Sequence, residues 1–290
     1  MAYKNILVHL DDHRDCEQRL QVALAIAKRD KSHLIGLFGF ELPSAPAQNL
    51  VADAYLEPAV SAERNEYMHA RDAAFANAAQ FEARFIKDIN RAGLTGRWET
   101  CPGKPADVIA LVIEQARYAD LTILGQTDPA HPLFDRLAKL PESVMLASGR
   151  PVLIVPCGAR VDAVGTNVLV AWNATRESAR AVGDAMPMLR SADAVTVVSV
   201  AAKYGDDGHD DQLAASLARH LALHDIRAEA SDLVSSQIDP DDLILTQAEE
   251  RGCNLIVMGG YGHSRTREML LGGVTRGILQ HMSVPVLMSH

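Results

Sequence analysis

The stretch Gly259 to Gly273 reads GGYGHSRTREMLLGG, with glycines at 259, 260, 262, 272 and 273. It follows the apolar run NLIVM and precedes a helical pattern, VTRGILQHM, whose Val274, Ile278 and Met282 share one face. Loop glycines let backbone N–H groups approach an anion closely, and a following helix start adds unpaired donors and a favourable dipole. This spacing suits a phosphate cradle. It equally suits plain turns at a strand end and a helix start, and spacing alone leaves both readings open. Neither the G-x-x-x-x-G-K-[ST] loop nor G-x-G-x-x-G occurs, so a mononucleotide would be held by backbone and hydroxyls without a dedicated lysine. Inside the loop, His263 and Arg265 are candidate phosphate contacts. Ser264 lacks the G-x-S-x-G elbow and an implied base, so no catalytic residue is expected. Asp11, Asp12 and His13 at an earlier strand end read as a helix cap, so no dedicated metal site is expected.

These residues sit in a chain that repeats itself. ILVHLDD (6–12) resembles VLVAWNA (168–174), DLTILGQTD (120–128) resembles NLIVMGGYG (254–262), and RPVLIVP (150–156) resembles VPVLMSH (284–290). The first pair is offset by 162 residues and the second by 134, so the first copy holds about 28 extra residues, placed within 41–90. There LPSAPAQNL reads as a loop, and the segment from Ser61 as a long helix ending at Gly93. The two copies are expected at 1–158 and 165–290. Each alternates strand and helix. NVLVAW is a continuous apolar run of the kind buried on both faces of a parallel sheet. The next helix is expected to bury Ala179, Val182, Met186 and Leu189, and a later one Leu213, Leu217 and Leu221. DPDDLILTQAEERG opens with Asp239 as cap and Pro240 at the first helical position, and closes at Gly252. The fold class is therefore α/β, two tandem doubly wound domains that bind ligands at the carboxyl ends of their strands.

The spacing G-x2-G-x9-G after the NLIVM strand resembles the ATP-binding signature of the universal stress protein family, normally followed by Ser or Thr. VLVAWNATRESARAV and VMGGYGHSRTREMLLGGVTRGILQHMSVPVL extend the resemblance, which covers nearly the whole chain as a tandem, bacterial-type member. It implies five parallel strands per domain, in the order 3-2-1-4-5, flanked by helices. It also implies an adenine nucleotide, ATP with any magnesium that ATP brings, in the C-terminal domain. Carried over, Gly259, Gly262 and Gly272 are kept, with Met258 just before them and Val274 just after. Gly273 replaces the usual hydroxyl residue, a loss of about 0.5–1.5 kcal/mol, and Thr275 could supply one instead. Asn173 holds the position that is acidic in ATP binders, where its amide oxygen can accept from an exocyclic amino group. Val200 is a candidate for backbone contact with the base. Weakened or altered nucleotide binding is the expectation. In the first copy Asp11 keeps the acidic position and Gly125 the first glycine. Asp128 and Ala138 replace the other two, and Pro129 and Pro132 remove N–H donors. That half is not expected to hold a triphosphate.

The resemblance also implies pairing through the fifth strands, 150–156 and 284–290, as a built-in pseudo-dimer about a twofold axis. The helical insertion is a candidate contact for a further homodimer. The bulk numbers agree. Twenty-eight Lys and Arg against 37 Asp and Glu give a formal charge of −9, which argues against nucleic acid or an anionic membrane as partner. The four cysteines show no C-x-x-C spacing, no basic-then-apolar leader precedes the first strand, and the chain reads as cytoplasmic. With 5% aromatics, aliphatic packing should dominate the core. Three functions follow: a nucleotide-binding stress sensor or regulator with at most slow ATP hydrolysis, an interaction scaffold that has lost the nucleotide, or an enzyme of adenine-nucleotide hydrolase type. The missing catalytic constellation disfavours the third.

Overall fold

The computed structural model describes residues 2–43, 58–127, 137, 139–158, 160–201, 212–235, 238–261 and 273–290. In the first half these form β1 (Asn5–Leu10), α1 (Cys16–Asp30), β2 (His33–Glu41), α2 (Pro58–Arg91), β3 (Thr95–Gly103), α3 (Pro105–Ala116), β4 (Leu121–Gly125), α4 (Leu140–Ser148) and β5 (Val152–Val155). The second half has β6 (Asn167–Ala171), α5 (Arg176–Leu189), β7 (Ala194–Ala201), α6 (Leu213–Ala222), β8 (Ala228–Val234), α7 (Pro240–Glu250), β9 (Leu255–Gly259), α8 (Gly273–His281) and β10 (Val286–Ser289).

All ten strands join one sheet in the order β3-β2-β1-β4-β5-β10-β9-β6-β7-β8. Each half thus has the order 3-2-1-4-5, with parallel neighbours throughout. The halves meet in one antiparallel pair, Val286↔Ile154, Leu287↔Leu153 and Met288↔Val152. A twofold axis through the sheet reverses strand direction, so this reversal is what the duplicated sequence requires of a built-in dimer. It also removes two short apolar edges that would otherwise recruit other strands.

Side chains alternate along each strand, so the sheet carries a core on both faces. Ile6, Val8, Val168 and Val170 pack beneath α1, α2, α5 and α6, whereas Leu7, Leu169, Ile256 and Met288 pack beneath α3, α4, α7 and α8. Both cores run across the junction between the halves. The aromatic residues are few but concentrated. Phe38 stacks on Phe81 (centroids 4.7 Å apart) and on Trp98 (5.9 Å), and Phe40 meets Phe75 edge-on. That cluster fixes α2, the 34-residue helix that opens within the inserted region, where α6 has 10 residues in the other half.

One repeated device pins the strand starts. Asp120 Oδ2 accepts from the backbone N–H groups of Lys4 (2.7 Å) and Asn5 (3.0 Å). Its counterpart Asn254 accepts through Oδ1 from Gly165, Thr166 and Asn167 at 3.0–3.1 Å. The caps also follow the sequence, with Gly93 and Gly252 left-handed just past α2 and α7. Of the face expected for α5, Val182 and Leu189 are buried and Met186 packs half-buried on the same core, whereas Ala179 is exposed; Ala181, Ala185 and Met188 complete the stripe at the 3.6-residue period.

Candidate functional site

The carboxyl ends of β6, β7 and β9 lie together, since β9 and β7 flank β6. The β6–β7 register ends at Ala171↔Val198, so Val200 stands two residues beyond the last pair. Trp172 N–H donates to the Val198 carbonyl (2.8 Å). Strand alternation turns the Val200 peptide groups to that same side, past the end of the β6–β7 ladder. Asn173 is exposed, and its Oδ1 accepts from Thr175 N–H (3.3 Å) and Thr175 Oγ1 (2.9 Å). The oxygen proposed for adenine therefore closes an Asx turn, leaving the amide NH2 as the outward polar group. Thr175 in turn caps α5, its Oγ1 accepting from Ser178 N–H (3.3 Å). Ala174 between them is left-handed at φ 56°. A side chain pays for that geometry, and such residues gather at functional turns.

At the end of β9, the Met258 side chain is buried in the core, so only its backbone faces the strand end. Gly259 has a packing reason for its identity. A Cβ there would lie 2.5 Å from Ser178 N and 2.7 Å from the Glu177 carbonyl carbon. The strand end thus presses directly on the first turn of α5, where Ser178 N–H is already taken by its Thr175 cap. Because both obstacles are backbone, Gly259→Ala should cost about 1–3 kcal/mol in urea unfolding. Gly273→Ala, whose Cβ meets nothing within 4 Å among the described residues, should cost almost nothing.

Beyond β9, Gly260 N–H donates to the Ser289 carbonyl of its own half (2.8 Å), whereas a Cβ at Gly260 would collide with the Met145 sulfur of α4 from the other half. Tyr261 is left-handed (φ 50°), and its N–H donates to Thr275 Oγ1 at 3.2 Å. Burial, then the neighbouring Glu142 carboxylate, pushes the Tyr261 phenol up to about 12. Thr275 is buried in the first turn of α8, so its hydroxyl already serves the loop's own backbone. Val274 is half-buried and Gly273 exposed at the start of the same helix. Gly262, His263, Arg265 and Gly272 lie outside the described residues, as do Asp128, Pro129, Pro132 and Ala138 of the first copy.

The equivalent place in the first half is filled. Arg19, 3% exposed, donates to the His9 carbonyl (2.8 Å) and pairs two nitrogens with Asp11 at 3.1 Å each. Its guanidinium lies across the end of β4, where a Cβ on Gly125 would come within 2.9 Å of the central carbon. Burial raises the Asp11 carboxyl, but Arg19 and His9 outweigh it and hold Asp11 down at about 2. Burial, reinforced by Arg19 against the opposing pull of Asp11, lowers His9 to about 4 and keeps it neutral. Asp11, aligned with the adenine-binding acid, is thus committed to an internal cation. The 162-residue offset puts Ala181 where Arg19 stands, and the described atoms nearest a Gly259 Cβ belong to Glu177 and Ser178 rather than to a guanidinium. The sequence reading missed Arg19. Its signal was an arginine on the apolar stripe that carries Cys16, Ala23 and Ile26.

Two strand-end crevices, one at each copy's first glycine, prompt a comparison with known proteins. The model of the universal stress protein family matches residues 2–156 and again 166–290. The chain belongs to the universal stress protein family. A curated relative, "Universal stress protein MJ0577" of Methanocaldococcus jannaschii, is 34% identical over 65 residues, which is 22% of this chain and 40% of that protein's length. The match thus spans less than half of that relative. A universal stress protein structure from Archaeoglobus fulgidus DSM 4304 covers 98% of this chain and 95% of its own, at TM-score 0.66 and 18% identity. A putative universal stress protein from Pseudomonas aeruginosa UCBPP-PA14 covers 99% and 93%, at TM-score 0.61 and 16% identity. These likenesses establish the fold of a tandem universal stress protein over the full length. Among the described residues, no helix is long and apolar enough to cross a membrane.

Proposed function

We propose that this tandem universal stress protein binds one adenine nucleotide, ATP, in its C-terminal half and acts as a stress-linked sensor or regulator. The observation that carries the reading is the asymmetry between the two crevices. Where the first half places a buried guanidinium, the second has Ala181, with the first turn of α5 packed against Gly259. Backbone dipoles favour a phosphate there without a lysine. Val200 offers its peptide groups to the base, and Gly259, Gly262, Gly272, Gly273 and the start of α8 offer donors to the ribose and phosphates. His263 and Arg265 are further contacts, and magnesium accompanies the phosphates. No described residue supplies a general base placed for hydrolysis, so turnover is slow or nil.

The hydroxyl lost at Gly273 can be tested directly. A Cβ at Gly273 meets no described atom within 4 Å, and Gly273→Ser should tighten magnesium-ATP binding by about 0.5–1.5 kcal/mol, roughly two- to tenfold. Titration calorimetry reads both this gain and the complete loss expected for Gly262→Asp, which sets a carboxylate against the phosphates.

A second reading is favoured by one observation. The Asn173 oxygen is already bonded to Thr175, which weakens adenine recognition and suits a scaffold acting through self-association or a protein partner. No heat with any nucleotide or nucleoside would support it.

A further inference from the structure

In the first half, a cluster of metal-ligating side chains stands near the same sheet end and is used by nothing described above. We infer that His13, Asp15 and Cys157 form a binding site for a soft divalent cation of the zinc class. One imidazole nitrogen, one carboxylate oxygen and one thiol sulfur converge there, each within 4.8 Å of the others.

The three come from segments far apart in sequence. His13 and Asp15 lie in the turn that leads from β1 into α1, and Cys157 follows β5. Three hydrogen bonds hold these segments in place. Gly158 N–H donates to Asp15 Oδ2 (3.1 Å), Asp15 N–H donates to His13 Nδ1 (3.2 Å), and Cys157 N–H donates to Gln126 Oε1 (2.8 Å). The backbone around the site is therefore largely fixed before any ion arrives.

The donor set selects the metal. Imidazole and thiolate suit zinc and its neighbours, whereas magnesium and calcium take oxygen ligands. Tetrahedral zinc places its ligand atoms about 3.4–3.8 Å apart, so closure from 4.8 Å asks for side-chain rotation rather than backbone rearrangement. Asp15 Oδ2 stands 3.6 Å from His13 Nδ1, and a cation bound at that nitrogen takes the lone pair that now accepts from Asp15 N–H. Water completes the fourth position. The Cys157 thiol now donates to the Gln126 carbonyl (3.1 Å), and on binding it releases its proton to solvent.

The charges around the site permit a cation. Arg19 is nearby, but its charge is matched by the bidentate pair with Asp11. Arg14 Nε lies 3.8 Å from Asp15, and its side chain is 72% exposed, so water screens its charge. The site does not depend on nucleotide binding in the other half.

Cobalt(II) titration of the metal-stripped full-length protein tests this inference. One equivalent should bind with a thiolate-to-cobalt charge-transfer band, and zinc should displace it. Losing the partner of a ligand costs ten- to a hundredfold in affinity, so losing the ligand itself should exceed about a hundredfold. Cys157→Ser should abolish the band, and His13→Ala should weaken binding by that factor. Cys253→Ser, at a buried thiol in the other half, should change neither, and circular dichroism confirms that each variant is folded. Cobalt bound without a thiolate band would overturn the inference. So would a band that survives Cys157→Ser, or affinity unchanged in His13→Ala. Asp241, Asp242 and His281 form a second cluster without sulfur, and binding there would give the first of these results.

Discussion

Arg19→Ala is expected to destabilise the protein by about 3–5 kcal/mol, because it strands the Asp11 carboxylate in the first-half crevice. The Asp11 side chain is 18% exposed and that of Arg19 only 4%, so little water is available to replace the guanidinium. The size of the loss is the penalty of an uncompensated charge, not the net worth of the pair. Arg19→Ala combined with Asp11→Asn should therefore recover much of it, and a double-mutant cycle in urea separates the two. A loss below about 1 kcal/mol in the single variant would mean that the pair is solvated and does not fill the crevice.

The same cluster sets a pH dependence. Both His9 and Asp11 have folded values below their ordinary ones, about 4 and about 2. A group with a depressed folded value binds protons more readily when unfolded, so its stabilisation is complete above the unfolded value and lost on acidification. His9 therefore contributes a loss between about pH 6.5 and 4, on the order of 3 kcal/mol, and Asp11 a further loss from about pH 4 towards 2. His9→Gln should flatten the unfolding free energy over the upper window alone. A wild-type profile that is flat from pH 7 to 4 would contradict a buried neutral His9.

The second large effect is expected at the junction of the halves. Leu287 is fully buried on β10, directly opposite Leu153 on β5, in a join only three residue pairs long. Leu287→Asp forces a carboxylate into the core beneath α1, α2, α5 and α6, which Leu287 and Leu153 carry across the junction. Burial of an unpaired charge belongs to the short list of changes that exceed about 4 kcal/mol. The variant should unfold or separate its halves, seen as expansion in size-exclusion chromatography or a split denaturation curve. Leu287→Val should cost about 1 kcal/mol and keep a single transition. Cooperative unfolding of Leu287→Asp at nearly wild-type stability would show that the continuous sheet is not what joins the domains.

Much of the fold was legible because both copies wrote it with the same physics. Apolar runs such as NVLVAW mark strands covered on both faces, and the Asp239–Pro240 start and Gly252 stop mark α7 to the residue. The offsets of 162 and 134 residues locate the insertion that the long α2 occupies. The α5 stripe expected at Ala179, Val182, Met186 and Leu189 differs from the structure at its first position, where Ser178 is buried and Ala179 exposed, because both neighbours lie near the edge of one helical face. The site was less legible for a different reason. Motif spacing identifies which backbone could meet a phosphate, but not which side chains already use it. Asn173 spends its oxygen on Thr175, and Thr275 spends its hydroxyl on Tyr261, both through contacts that depend on turn geometry. Arg19 reaches Gly125 from eight residues beyond Asp11, and its meaning appears only once α1 is packed on the sheet. The hold of α4 on Gly260 and Tyr261 crosses between halves, which no pattern within one copy can announce.

The central claim is that one crevice accepts a nucleotide while the other is filled from within. Equilibrium dialysis of the full chain against magnesium-ATP measures this as a stoichiometry. One ATP per chain is expected, unchanged by Gly125→Asp in the first half and reduced to none by Gly262→Asp in the second. Two nucleotides per chain, or one that survives Gly262→Asp, would contradict the account.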